Sequence, residues 1–310
     1  MIKLFKVFTK FFKRKTNNLI KEPLFINLIN EYVKKEFLEN KPAAGTIKKY
    51  NNLIANITLF LKVKNLNNLQ CSEIKLKHME TLRQWLHSEL ESCCKSHSAR
   101  HLQLCKRTLK YAVLMEYIIH NPIEQLECKR DKTKEIISLE RSELRKYITA
   151  KFENEIYTIV THLYVYQCCT GLSYEGLYNH TISVIENTKK EAVKWVIGKR
   201  LKNEQPYYVP LFEEAEITLN IYNGELPYIR NATYNRVLKE VSKILGIEKN
   251  LTTHTARKTF ATIKRQMGWS TESIADMLGH ASIKTTETYY LKNGKDTVDA
   301  EFLKHGLQPV

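Results

Sequence analysis

The sequence predicts a mainly α protein: a helical-bundle domain, then a mostly helical domain that holds a small antiparallel β-sheet. Three observations predict it. Apolar residues recur at helical spacing from Pro23 to about Ile119, a charged aperiodic stretch follows from Glu124 to Ile137, and three short β-like runs interrupt the helices beyond it. At 310 residues the chain has length for two domains.

In the first domain Phe25, Leu28, Ile29, Tyr32, Val33 and Phe37 line one helical face. Lys41-Pro42 breaks that helix, and Thr46 is placed to cap a second one through Tyr50, Leu53, Ile57 and Leu61. Met79–Leu90 and Ser98–Ile118 supply two more. Asn121-Pro122 is expected to stop the last, since proline disfavours helical geometry in the residue before it. Four amphipathic helices make a small bundle over residues 23–122. Residues 123–137 read as an interdomain linker. The second domain, residues 138–310, resumes helical pattern through Leu144 and Tyr147 and again from Ile156 to Gln167. The β-like runs are Thr181–Ile185, Ala192–Ile197 and Tyr207–Leu211. Helices return over Ala232–Leu245, with Gly246 as a stop, then Thr255–Met267, Thr271–Leu278 and Ser282–Tyr290.

Lys and Arg number 49 against 33 Asp and Glu, a formal charge of +16. An excess that large points to a polyanionic partner, nucleic acid or an acidic surface. No uncharged apolar run approaches the ~20 residues of a bilayer span. Seven cysteines without a C-x-x-C pair indicate neither a disulfide framework nor a zinc ribbon, and fit a reduced cytoplasm. Met1–Lys15 is a basic amphipathic segment, with Leu4, Phe5, Phe8, Phe11 and Phe12 opposite four lysines. It suits packing on the chain or contact with DNA, with an anionic membrane as the other option.

One helix carries Arg100, Lys106, Arg107 and Lys110, which suit a DNA-facing surface. The same helix holds Cys94, His97, His101 and Cys105, but residues spread over three turns of one helix cannot enclose a tetrahedral metal, so no metal site is expected there.

The most informative stretch runs from Leu251 to Leu291. His254 and Arg257 stand three apart on one helical face, Leu278-Gly279-His280 ends the next helix, and Tyr289 lies nine residues past His280. Upstream, Arg200-Leu201-Lys202-Asn203 precedes Tyr208-Val209-Pro210-Leu211, and Thr170-Gly171-Leu172 follows an apolar helix. In this order and spacing the motifs resemble the tyrosine recombinase (phage integrase) family.

The resemblance implies the recombinase fold and a two-domain clamp on duplex DNA, its linker long enough to reach round the helix. It implies a site-specific recombinase that breaks and rejoins DNA through a 3′-phosphotyrosine. Tyr289 matches the nucleophile, Arg257 a phosphate-binding arginine, His254 and His280 its partners, and Lys202 the acid for the leaving 5′-oxygen. Tyr290 is out of register and is expected to pack. The reaction so implied uses no metal, nucleotide or other cofactor. Implied partners are four protomers on two DNA sites and accessory directionality factors, acting on the nucleoid in the cytoplasm. Phe302 and Leu303 in the tail match a segment that docks on a neighbouring protomer. The roughly 22 residues before the bundle are too short for a separate arm-binding domain.

One position departs from the pattern. Ser173 stands where the family carries its first catalytic arginine, and Gly176 where it carries an acidic residue. A serine cannot make a bidentate charged contact with phosphate. Lys199, Arg200 and Arg230 are candidate substitutes by charge. The alternative reading is a non-catalytic DNA-binding protein that keeps the fold.

Overall fold

A computed structural model describes residues 22–89, 94–129, 131, 135–186 and 192–290, without the side chain of Tyr289. The basic N-terminal segment and the tail with Phe302 and Leu303 lie outside the described residues. The chain divides into two compact units, residues 1–132 and 133–310.

The first unit contains α1 (Phe25–Asn40), α2 (Ala44–Val63), α3 (Leu76–Glu89) and α4 (Lys95–Leu114). Phe25, Leu28, Ile29, Phe60, Trp85, Leu102 and Leu109 form its core, with the rings of Phe60 and Trp85 5.8 Å apart. α1 ends where Lys41 turns left-handed (φ 41°) and its N–H closes on the Phe37 carbonyl, one residue before Pro42. Thr46 does not cap α2; the helix starts at Ala44 and Thr46 falls inside its first turn. α4 also stops earlier than Pro122 would dictate. Glu116 adopts φ 59°, and the Tyr117 N–H returns to the Ala112 carbonyl at 2.9 Å, so a left-handed cap ends the helix first.

The first half of the expected linker is folded onto this unit. Ile123 is fully buried, Leu126 and Cys128 pack on the core, and Asp131 and Ser96 exchange hydrogen bonds through backbone and side chain. The apolar side chains spaced along an otherwise charged stretch give it something to bury.

The second unit comprises α5 (Arg141–Thr149), α6 (Glu155–Thr170), β1 (Thr181–Glu186), β2 (Ala192–Lys199), β3 (Pro206–Pro210), α7 (Glu213–Ile221), α8 (Asn231–Ile244), α9 (Thr253–Gln266), α10 (Thr271–Met277) and α11 (Ile283–Tyr290). α6 is its axle: all but one of its residues from Val160 to Thr170 are buried, and α5, α7, α8 and α9 surround it. A helix apolar on every side belongs in a core. The tyrosines buried there satisfy their hydroxyls: Tyr164 with Thr255 at 2.9 Å, Tyr147 with Ser242 at 2.7 Å, and Tyr234 on the Gln167 side-chain oxygen at 2.8 Å. The sheet is antiparallel in the order β1-β2-β3, with Thr181 opposite Ile197 and Trp195 opposite Pro210.

α7 is an addition to the elements expected from periodicity. Glu213, Glu214 and Glu216 in its first turn are a helix-start signal, and Ala215, Thr218 and Leu219 supply a short buried stripe. No helix among the described residues is long and apolar enough to cross a membrane.

Candidate active site

Arg257 is the centre of the site. It projects from α9, where Thr252 caps the first turn by accepting the Thr255 N–H, and its side chain is 3% exposed. One terminal nitrogen donates to the Gly171 carbonyl, the other to the Leu278 carbonyl at 2.7 Å. The guanidinium is thereby anchored to the end of α6 and the end of α10. Its Nε is buried with no hydrogen-bond partner. An orphaned donor on a buried cation is the feature an anionic ligand would complete. Burial lowers the Arg257 pKa, but a guanidinium remains charged.

Two glycines permit this anchoring. Gly171 ends α6 at φ 69°, and a Cβ there would lie 2.7 Å from the Phe260 ring. Gly279 follows α10 at φ 59°, where a Cβ would lie 3.0 Å from the Arg200 side chain.

The imidazoles of His254 and His280 belong to the same cluster. His280 is buried; its Nε2 is 3.4 Å from Arg257 and its Nδ1 is 2.8 Å from the Thr286 hydroxyl. Desolvation first, then Arg257, Arg200 and His254, lower its pKa to about 3. His254 stands more exposed, and desolvation of the part that is covered, followed by Lys258, Arg257 and Arg200, lowers its pKa to about 4. Both are neutral near pH 7.

Arg200 is the second guanidinium of the site. It begins the β2–β3 turn, donates to the Gly279 carbonyl at 3.4 Å, and exerts its charge on Arg257, His254 and His280 alike. Of the three cations that sequence alone leaves unranked, it is the one the fold brings here. Ser173 takes another role: its Oγ accepts the Gly176 N–H at 3.1 Å and its carbonyl the Leu177 N–H, so it caps the short 3-10 turn Glu175–Tyr178. Lys202 stands exposed at the tip of the β2–β3 turn, two residues beyond Arg200, and among the described residues it makes no hydrogen bond or ion pair.

The tyrosine that fills the pocket is Tyr290. Its ring centroid lies 4.6 Å from that of His280 and 5.5 Å from that of His254, and the Arg257 guanidinium carbon is 5.9 Å away. Tyr290 is 5% exposed, so it packs as its register implies, and it packs among His254, Arg257 and His280. The backbone of Tyr289 belongs to the last turn of α11; its side chain is outside the description.

In the first unit Arg100, Arg107 and Lys110 are exposed at i, i+7 and i+10 on α4. Arg100 and Arg107 border a groove with Thr46, Lys49 and Tyr50 of α2. Lys49 is a cation that charge counting on α4 does not reach; only the packing of α2 beside α4 recruits it. Lys106 departs from the DNA-facing set. Its amino group donates to the carbonyls of Glu124 and Leu126, because the turn that ends the bundle folds back over this side of α4. His101, from the dismissed metal constellation, is fully buried between the His97 carbonyl and Asn56, and no group of three His, Cys, Asp or Glu among the described residues could hold a metal.

The model of the phage integrase family matches residues 131–295, and that of the phage integrase SAM-like domain matches residues 24–132. The chain is similar to the tyrosine recombinase XerC of Rickettsia typhi, 22% identical over 84% of this chain and 91% of that protein. It is also similar to a tyrosine recombinase of Pseudothermotoga lettingae, 24% identical over 80% and 88%. Among solved structures, the Tn1549 transposon integrase bound to transposon right-end DNA matches with a TM-score of 0.67 at 15% identity, over 92% of this chain and all of that one. A lambda integrase dimer on a core site gives 0.65 at 14%, over 86% and 95%. These structures share the fold: a helical domain followed by a mostly helical domain with a small sheet. The motifs, their spacing and the matched models agree: the chain belongs to the phage integrase family of tyrosine recombinases.

Proposed function

We propose that this chain is a site-specific recombinase that cuts and rejoins duplex DNA through a 3′-phosphotyrosine. The observation that carries the reading is the buried Arg257, with its unpartnered Nε, in a cluster with two neutral imidazoles and a second guanidinium at the foot of a tyrosine-bearing helix.

In the proposed step the Tyr289 hydroxyl gives its proton to the lone pair of a neutral imidazole, that of His254 or, once the phosphate draws Arg257 off it, the Nε2 of His280. The phenolate oxygen then attacks phosphorus. A new P–O bond to tyrosine forms as the bond to the 5′-oxygen breaks, and the Lys202 ammonium gives that oxygen its proton. Arg257 and Arg200 meet the negative charge that builds on the non-bridging oxygens, Arg200 standing in for the arginine replaced by Ser173. The aryl phosphate ester conserves the bond energy, so the reverse step rejoins a strand without ATP. Four protomers acting on two sites would exchange strands in this way in the cytoplasm, on the nucleoid. Arg100, Arg107, Lys110 and Lys49 would hold phosphates along the same duplex.

The test is a nicked half-site duplex incubated with the protein and resolved under denaturing conditions. A covalent adduct that Tyr289→Phe abolishes supports the reading. An adduct that survives Tyr289→Phe and is lost in Tyr290→Phe would make Tyr290 the nucleophile, a second reading favoured by the seat of its ring beside Arg257. Retarded DNA with no adduct under any condition would mean a binding protein that has kept only the fold.

A further inference from the structure

We propose that Thr286 is a positioning residue. Its hydroxyl fixes His280 in the Nδ1–H tautomer and fastens the helix of the nucleophile to the phosphate site. The proposal rests on the recombinase reading above for what the tautomer is used for.

The argument starts from the two ring nitrogens of His280. Nε2 faces an Arg257 terminal nitrogen at 3.4 Å and Nδ1 faces the Thr286 Oγ1 at 2.8 Å. An arginine can only donate, so Nε2 must be the acceptor. A neutral imidazole carries a single N–H, which is therefore on Nδ1 and donates to Thr286. The opposite tautomer would point an N–H at a cation. Thr286 is fully buried, so water cannot replace its hydroxyl as the acceptor.

The same contact joins two segments. His280 sits in the turn after α10, its N–H on the Ala275 carbonyl at 2.9 Å, whereas Thr286 rides on α11 one turn before Tyr289 and Tyr290. An imidazole whose Nε2 lone pair is held on Arg257 and the helix that carries Tyr289 are thus set by one hydrogen bond. The charged and titratable groups facing His280 are Arg257 and His254 from α9, Arg200 from the β2–β3 turn and Tyr290 from α11. Neither arginine can accept the Nδ1 proton, and among the described residues the hydrogen bond at Nδ1 goes to Thr286.

The test uses the full chain, labelled with ¹⁵N at histidine, with His280→Asn to identify the signal. Wild type and Thr286→Ser should show Nδ1–H at His280 near pH 7. Thr286→Val and Thr286→Ala should lose it, showing the other tautomer or a mixture. In both, adduct formation on the half-site should fall roughly tenfold or more, with an altered pH profile, while retardation of the same duplex stays within about twofold. Thr286→Ser should recover most of the activity. An Nε2–H tautomer in wild type overturns the proposal, and so does an unchanged tautomer and pH profile in whichever of the Val and Ala variants folds. If the tautomer pattern is as expected but wild type forms no adduct, the recombinase reading fails and the tautomer assignment stands.

Discussion

At Arg257 one side chain does two jobs, and substitutions separate them. Its terminal nitrogens tie α6 to α10 through the Gly171 and Leu278 carbonyls, and its buried Nε has no hydrogen-bond partner and is proposed to meet the phosphate. Arg257→Lys keeps a cation but loses the fork, so adduct formation should fall about 10²–10³-fold. Arg257→Ala also leaves two carbonyls unpaired and should lower stability by about 2–4 kcal/mol in denaturant titration. Arg200→Ala should cost about 10²-fold in the same cleavage assay, whereas Arg230→Ala should leave the rate close to wild type; equal losses would remove Arg200 from the site. The imidazoles give a pH prediction. His280 and His254 have folded pKa values lowered to about 3 and about 4, below the ordinary 6.5, so between those limits the unfolded chain binds more protons. The stability they contribute is complete above about pH 6.5 and is lost as pH falls toward 4 and then 3. Melting temperature should therefore decline over that window, and His280→Asn should flatten the slope. His254, Arg257 and His280 were legible because their spacing on consecutive helices is local. Arg200 was one of three equivalent cations until the hairpin placed it against Gly279, and Thr286 was unremarkable until its hydroxyl met a ring six residues earlier in the chain.

Among the elements, α4 shows how a charged helix divides its labour. Arg100, Arg107 and Lys110 remain exposed, but Lys106 is spent on the carbonyls of Glu124 and Leu126. Replacing Arg100 or Arg107 by Ala should weaken binding to any duplex and reduce the slope of log K against log salt by about one each. Lys106→Met should leave that slope unchanged and instead lower the stability of the first unit by about 1–2 kcal/mol. α11 carries the other lesson of this scale. Its Tyr290 ring is seated against both imidazoles, 4.6 Å from His280 and 5.5 Å from His254. The helical periodicity of α11 identified the element, while its rotation about its own axis was set by Thr286 and Tyr290 packing on His280.

For the whole molecule, the charge of +16 and the two separate cores have their own consequences. Binding to duplex DNA of arbitrary sequence should lose about 10³-fold or more between 50 and 200 mM salt if six or more phosphates are contacted. What the sequence determined by itself was what short-range pattern carried: two units, their helices other than α7 to within a few residues, the three strands and the ordered motif set. These follow from periodicity, turn residues and spacing, which act between neighbours in the chain. Only tertiary structure decided that the expected linker begins as part of the bundle, that Lys106 bonds to the turn after α4, and that Arg200 bears on Arg257. Each depends on which buried group finds a partner from a distant segment. That is settled by packing and by the cost of leaving a carbonyl, a cation or an imidazole nitrogen unpaired, and no local pattern records it.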